Sequence, residues 1–258
     1  MKRLFDLVAS AVGLLVLSVV LVPTMVLVWV QDRHSPFYVA PRVGRAGRIF
    51  RMVKLRSMRI RADRSGITST SGDDPRITAV GRFIRRWKLD ELMQLWNVLL
   101  GEMSLVGPRP QVAWAVEGYT AAERELLSVR PGITDLASVV FADEAEILEG
   151  AADPDLRYEQ IIRPLKSRLA LLYVRRRPSL GLDLKIMRLT ALTITSRGRG
   201  LAAASDLVRR LGGGEELARV ALREEPLRES PPPGAQEVVS SVPDASGRAK
   251  IPPSAGRS

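Results

Sequence analysis

Lys88–Pro110 reads KLDELMQLWNVLLGEMSLVGPRP. Leu92, Leu95, Trp96 and Leu99 recur at i, i+3, i+4 and i+7, which predicts one apolar face of a helix. Adjacent carboxylates, Asp90 and Glu91, open that helix, and Gly101 stands where helices commonly stop. Acidic residues in a first turn ordinarily just complement the helix dipole. The apolar stripe ordinarily packs a core or faces a membrane. Gly107-Pro108-Arg109-Pro110 then holds an arginine between two prolines. Proline fixes its own φ and disfavours helix in the residue before it, so Arg109 is expected in stiff, extended backbone.

Toward the N-terminus, Met1-Lys2-Arg3 leads into an apolar stretch from Leu7 to Val30. Roughly 24 residues of helix extend about 36 Å, enough to cross a hydrocarbon core. The run exceeds the apolar region of a signal peptide, and no A-x-A-like site follows it. Pro23 interrupts the helical hydrogen-bond ladder and favours a kink, which opposes a straight spanning helix. Lys2 and Arg3 precede the segment; Arg33, Arg42, Arg45, Arg48, Arg51, Lys54, Arg56 and Arg59 follow it. Basic residues prefer the cytoplasmic side. A helix that dips in and returns to one face satisfies that rule at both ends.

Composition prunes the chemistry. The 258 residues carry 39 Lys+Arg against 28 Asp+Glu, a formal net charge of +11. Such a balance suits phosphate-rich substrates, anionic membrane surfaces or nucleic acid. There is no cysteine, and the one histidine, His34, directly follows the apolar segment. Ser-His-Asp triads, cysteine nucleophiles and His- or Cys-based zinc sites are thereby excluded. No P-loop or dinucleotide fingerprint occurs. What remains is carboxylates, Lys/Arg, hydroxyls, backbone N–H groups, or an oxygen-bound ion such as Mg²⁺.

Between the two segments, Ile49–Met58 partly alternates and reads as a strand or a short amphipathic helix, and 65–74 reads as a polar loop. From Asp74-Pro75-Arg76-Ile77-Thr78 a basic amphipathic helix is expected, with Ile77, Val80, Ile84 and Trp87 on one face. Gln111–Arg130 reads as a further helix, ended by Pro131-Gly132. Tyr158–Val174 and Leu180–Thr195 read as two more, and Asp183 on the last is either near the active site or paired with Arg or Lys. Past Arg197 come Gly212-Gly213-Gly214 and Pro231-Pro232-Pro233, and no aromatic follows Tyr173. A short helix near Glu215–Glu225 is admitted; from Pro226 onward disorder is expected.

Taken in order, Leu89-Asp90-Glu91-Leu92, Gln94–Leu99, Gly101 and Met103–Pro110 resemble the hallmark block of the bacterial sugar transferases, the small monotopic polyprenyl-phosphate phosphoglycosyl transferases. Lys54, Arg56 and Met58, the Asp74–Thr78 run, Arg130–Thr134 and Leu182–Ile186 match further blocks. The similarity covers residues 1–197. It departs at Val22-Pro23, where the family has Ser-Pro, and at Asp135–Val139, where a D-L-A-S-V version replaces the commoner GWAQVNG. That loop is a candidate for sugar or nucleotide recognition, so the donor sugar is not inherited.

The resemblance implies an α+β, mostly helical, monotopic membrane protein with an N-terminal re-entrant helix and several interfacial amphipathic helices. The expected domains are a re-entrant helix over 1–35 bent at Pro23, a catalytic domain over 36–197 and a flexible, largely disordered tail over 198–258. It implies transfer of a sugar phosphate from a UDP-sugar to undecaprenyl phosphate, with UMP release, as the first membrane step of surface-glycan synthesis. Asp90 would be the nucleophile, forming a phospho-aspartate, with Glu91 holding Mg²⁺ and Arg56, Arg85 and Arg109 binding substrate. The implied partners are the UDP-sugar, the lipid phosphate, anionic inner-membrane lipids and downstream glycosyltransferases, not nucleic acid. The implied place is the cytoplasmic face of the bacterial inner membrane. Two alternatives stay open: a membrane-tethered basic binding module, and a family member that has lost activity.

Overall fold

The computed structural model describes residues 1–60, 62 and 74–241. The apolar N-terminal stretch forms one helix, α1 (Lys2–Asp32), long and apolar enough to cross a membrane by length and composition. Pro23 lies inside α1 without ending it, so the interruption expected there is not a break in the helix. The Thr24 hydroxyl beside it donates to the Val20 carbonyl at 2.7 Å.

The buried side of α1 mixes Asp6, Ser10 and Thr24 with Leu21 and Val28, whereas Val8, Leu15, Val19, Val26 and Val30 are exposed. So much exposed apolar surface on one helix suits an apolar surrounding. Both ends are tied to the same body: Lys2 to Asp183, and Asp32 to Arg56.

Residues 37–55 form an antiparallel hairpin of β1 (Phe37–Val43) and β2 (Ile49–Leu55), resolving the strand-or-helix choice in favour of a strand. The basic segment that follows makes α2 (Ala79–Arg86), capped by Thr78, whose hydroxyl accepts from Gly81 N at 2.9 Å. Ile77 and Ile84 are buried, but Trp87 is 63% exposed, so the expected four-residue face is not a single buried one. Of the loop expected over 65–74, only Asp74 lies within the described residues.

The central run divides at Met93 into α3 (Leu89–Leu92) and α4 (Gln94–Leu100), with Gly101 ending α4 in the left-handed conformation. The buried face of α4 is Gln94, Leu95, Asn97 and Val98; Trp96 is 48% exposed. The i, i+3, i+4, i+7 stripe does not coincide with the core: Leu95 is buried, whereas Trp96 is exposed. Phe83 on α2, Trp87 just past its end, and Trp96 and Leu100 on α4 are instead exposed apolar positions.

Beyond α4, β3 (Ser104–Val106) pairs in parallel with β4 (Gly132–Thr134). Between them the single helix expected over 111–130 is instead α5 (Ala113–Glu117), α6 (Ala121–Arg124) and a 3₁₀ turn at Glu125–Ser128. Thr120 and Glu123 form a capping box that starts a new helix there. Short α7 (Leu136–Val140), α8 (Glu144–Leu148) and α9 (Pro154–Arg157) lead through a π turn at Tyr158–Ile162 into α10 (Arg163–Arg175) and α11 (Leu180–Thr195).

The flexible tail expected from residue 198 is corrected over 198–210, while the short helix admitted near Glu215–Glu225 is present over 214–222. There α12 (Arg197–Arg210) and α13 (Gly214–Leu222) bury Ala204, Leu207, Val208, Ala218 and Ala221 in the same core as Val98, Met103 and Leu169. Leu201, Ala204, Ser205 and Val208 fall at i, i+3, i+4 and i+7, a helical face built from mostly small residues. Its lack of aromatics suggested no core, but small side chains let helices approach closely, and Ser205 Oγ donates to the Ala218 carbonyl at 2.7 Å. Residues 226–241 are irregular yet bonded: Ser230 N donates to the Gln160 carbonyl at 3.0 Å, and Gln160 Nε2 to the Val239 carbonyl at 2.9 Å. The remainder of the expected disorder, 242–258, lies outside the described residues.

Candidate active site

Lys88 adopts the left-handed conformation (φ 52°, ψ 28°) between α2 and α3. A lysine gains nothing intrinsic from that conformation, which costs about 1–3 kcal/mol and is characteristic of functional turns. The reversal places the dyad at the start of α3 after Arg85 at the end of α2, close enough for Arg85 and Asp90 to stabilise each other's charge.

Asp90 and Glu91 have opposite surroundings. Glu91 accepts from Arg109, through a short bond to Oε1 and a 3.4 Å contact to Oε2, and from Lys54 Nζ at 3.4 Å. Burial pushes its carboxyl up, but Arg109 and Lys54 outweigh burial and hold it at about 2. Among the described residues no side chain bonds to Asp90. Burial is the largest influence on it and raises its carboxyl above the usual range, against the opposing pull of Lys54 and Arg85. One carboxylate is thus clamped and always ionised, and its neighbour is free.

Tight backbone contacts set the arginine. Gly107 N donates to the Thr134 carbonyl at 3.1 Å, and Gly132 N to the Pro108 carbonyl at 3.0 Å. A Cβ on Gly107 would lie 2.4 Å from the Arg130 carbonyl oxygen, and one on Gly132 would lie 2.0 Å from Gly107 N. Only glycine permits this approach, which fixes the turn from which Arg109 reaches Glu91. The β2 backbone beside Lys54 is held by buried Asn97. Its Oδ1 accepts from Val53 N at 2.9 Å, and its Nδ2 donates to the Arg51 carbonyl at 2.7 Å. Arg85 is braced by Ser57, whose hydroxyl accepts from Nε at 2.9 Å.

Four of the sequence-selected residues, Asp90, Glu91, Arg85 and Arg109, therefore meet. Arg56 does not join them. Its guanidinium donates to both Asp32 oxygens and to the Ser35 and His34 carbonyls, so it latches the end of α1 and has no free fork for substrate. Pro23 lies in α1, away from this cluster in sequence and in contacts. Asp135 and Ser138 make a helix cap: Asp135 Oδ1 accepts from Ser138 N and Oγ, both at 2.6 Å. Lys54 and Arg42 are the site residues that sequence reasoning did not select. Burial lowers the pKa of both, and each feels the nearby Arg109 charge. The register of Lys54 with Arg56 was the available signal for the lysine; nothing local marks Arg42.

Arg42, Lys54, Arg85 and Arg109 against Asp90 and Glu91 leave an excess of positive charge, suited to a diphosphate. A reaction carried by ionised Asp90 would be lost as pH falls through its raised pKa. Lys54 is the strongest influence lowering that pKa. Lys54→Met is therefore expected to move the acid limb of the pH–rate profile to higher pH. A limb that stays in place in that variant would show that Asp90 is not the titrating group.

Two carboxylates are what the site offers a metal: among the described residues no three His, Cys, Asp or Glu side chains gather. Mg²⁺ is commonly held by one or two carboxylates with waters and substrate phosphates completing its shell; here Asp90 is the open carboxylate, and Glu91 would have to exchange its Arg109 or Lys54 contact for the ion.

The chain is 41% identical over 171 residues to the galactosyl transferase CpsE of Streptococcus agalactiae, covering 61% of this chain and 37% of that protein. It is 40% identical over 157 residues to the undecaprenyl-phosphate galactose phosphotransferase of Salmonella typhimurium, covering 54% and 32%. It is 39% identical over 150 residues to the exopolysaccharide production protein ExoY of Rhizobium meliloti, covering 52% and 66%. The chain thus spans about a third of the first two relatives and two thirds of the third. The family model described as bacterial sugar transferase matches residues 1–197, which takes in α1, the hairpin, the Asp90–Glu91 pair and α11, and the chain belongs to that family.

Proposed function

We propose that the chain transfers a sugar phosphate from a UDP-sugar to polyprenyl phosphate, with release of UMP, as the first membrane step of a surface glycan. The observation that carries this is the unpartnered Asp90 carboxylate beside a Glu91 held by Arg109 and Lys54. The relatives named for undecaprenyl-phosphate sugar transfer and exopolysaccharide production support it.

Phosphoryl transfer relies on positioning and charge neutralisation. Arg109 and Lys54 bind donor phosphate oxygens and Arg85 steadies the reacting phosphate. Asp90 Oδ attacks the phosphorus that bears the sugar. The bond to the bridging oxygen breaks, and UMP leaves with the electron pair. The resulting acyl phosphate is then attacked by a lipid-phosphate oxygen, giving the polyprenyl diphosphate sugar and restoring the Asp90 carboxylate. Glu91 would hold Mg²⁺, which supplies further neutralisation of the donor diphosphate when bound. The test is UMP release from a panel of UDP-sugars by the detergent-solubilised protein with polyprenyl phosphate. Polyanion binding without UMP release from any of them would replace the transferase with a basic binding module.

The same proposal places α1 in the cytoplasmic leaflet of the bacterial inner membrane, entering and leaving on one face. Its apolar outward side, the basic residues at both ends and the attachment of both ends to one body support this. Cysteines introduced at Lys2 and Arg45 should both be protected from a membrane-impermeant reagent in intact cells. Labelling of the first alone would mean that α1 spans.

A further inference from the structure

The first turn of α1 holds both halves of the site from behind. Arg3 donates to the Val98 carbonyl at 2.6 Å and the Leu99 carbonyl at 3.0 Å, capping the end of α4, the helix that follows the dyad. Asp6, 2% exposed, accepts from Ser104 Oγ at 2.8 Å and from Leu105 N at 3.3 Å. Lys2 Nζ donates to Asp183, to the Tyr173 hydroxyl and to the Val106 carbonyl, the last two at 3.3 Å. The Tyr173 hydroxyl lies 2.7 Å from Asp183 Oδ1 and 3.0 Å from the Val106 carbonyl oxygen, and its one proton serves one of them at a time. All three residues of β3 are thereby gripped, and β3 runs directly into Gly107-Pro108-Arg109.

Such a network is costly unless it is needed. Asp183 and Tyr173 are each 1% exposed, and buried charges cost several kcal/mol unless paired and hydrogen-bonded. Apolar residues would join α1 to the body at lower risk. What the polar groups add is direction: a carbonyl held by an ammonium, with a phenol proton shared between it and Asp183, resists sliding along the strand. Val106 is three residues from Arg109, and the Gly107–Gly132 contact leaves the intervening turn little play.

We propose that Lys2, Tyr173 and Asp183 are positioning residues: they clamp the Val106 carbonyl and so set the Arg109 guanidinium against Glu91, making seating of the membrane helix a condition for donor binding. The consequence for catalysis rests on the transferase function proposed above; the clamp itself does not. Asp183 thus acts on the site through β3 and not by contact with substrate.

Tyr173→Phe keeps the buried ring and removes just the hydroxyl, and Lys2→Met removes the ammonium. Amide hydrogen exchange in detergent should rise for the 104–111 peptide in both variants and stay unchanged for 165–170 in the middle of α10. Unchanged exchange at 104–111 overturns the clamp, whatever the protein's activity. Turnover is measured with UDP-glucose and UDP-galactose. Displacing a phosphate ligand by a fraction of an ångström to an ångström should lower donor kcat/KM by about tenfold to a hundredfold. Lys2→Arg should recover part of the loss. In an Arg109→Ala background Tyr173→Phe should cost little more, because both act through one guanidinium. Losses that multiply, or an intact kcat/KM in Tyr173→Phe, overturn the positioning role. If the wild-type chain releases no UMP from any donor, the functional proposal falls and the exchange result alone decides the clamp.

Discussion

Asp90→Asn is expected to abolish turnover, with a loss on the order of 10⁴-fold or more, as for removal of a nucleophile elsewhere. The substitution keeps shape and hydrogen-bonding capacity but loses the anionic oxygen that attacks phosphorus. Among the described residues no side chain is bonded to Asp90, so little structural consequence accompanies the change and the protein should melt normally. Incubation of the wild-type protein with donor, lipid acceptor withheld, should leave a sugar-phosphate adduct on Asp90 detectable by mass spectrometry. The variant should show none. Glu91 does not substitute for it: Arg109 and Lys54 occupy its oxygens and hold it far on the ionised, weakly nucleophilic side. An active Asp90→Asn protein that follows single-displacement kinetics would sink the covalent route.

The site was more legible in the sequence than the fold around it. Asp90, Glu91, Arg85 and Arg109 lie in one contiguous region whose residue types already restrict the chemistry, and folding brings them together through one turn and one short strand. Arg56 misled because an arginine beside a lysine in a basic segment carries no local mark of its partner. Asp32, which claims it, is 24 residues away. Arg42 reaches the site from the other strand of the hairpin, a pairing that no periodicity announces. Helical faces failed where the chain breaks locally, as at Met93, since a four-residue helix and a seven-residue helix do not share one stripe. The C-terminal helices were underestimated for a different reason. Their core side is made of alanine, serine, valine and leucine, and composition arguments weigh bulk, whereas close packing rewards fit.

Glu91→Gln should be the second most damaging change, lowering turnover by roughly 10²–10³-fold, the scale of losing one electrostatic element in a preorganised site. In the wild type Glu91 neutralises Arg109 and Lys54 and keeps both aimed. Its carboxyl, held at about 2 from an ordinary 4.5, is ionised at every pH at which turnover would be assayed, so its effect should not titrate within the profile. The sign follows: a depressed folded-state pKa gives stabilisation that is complete above about 4.5 and fades only as pH falls toward 2. The neutral amide leaves two cations without a counter-charge. They should grip donor and UMP phosphates more tightly, so KM for the donor should fall or hold while kcat drops, the pattern of ground-state binding gained at the expense of the transition state. If Glu91 also holds Mg²⁺, affinity for the ion falls, and raising its concentration recovers part of kcat by mass action. An amide that serves just as a poorer partner for Arg109 would show no such recovery. A Glu91→Gln protein with wild-type kcat at low Mg²⁺ would remove Glu91 from both roles.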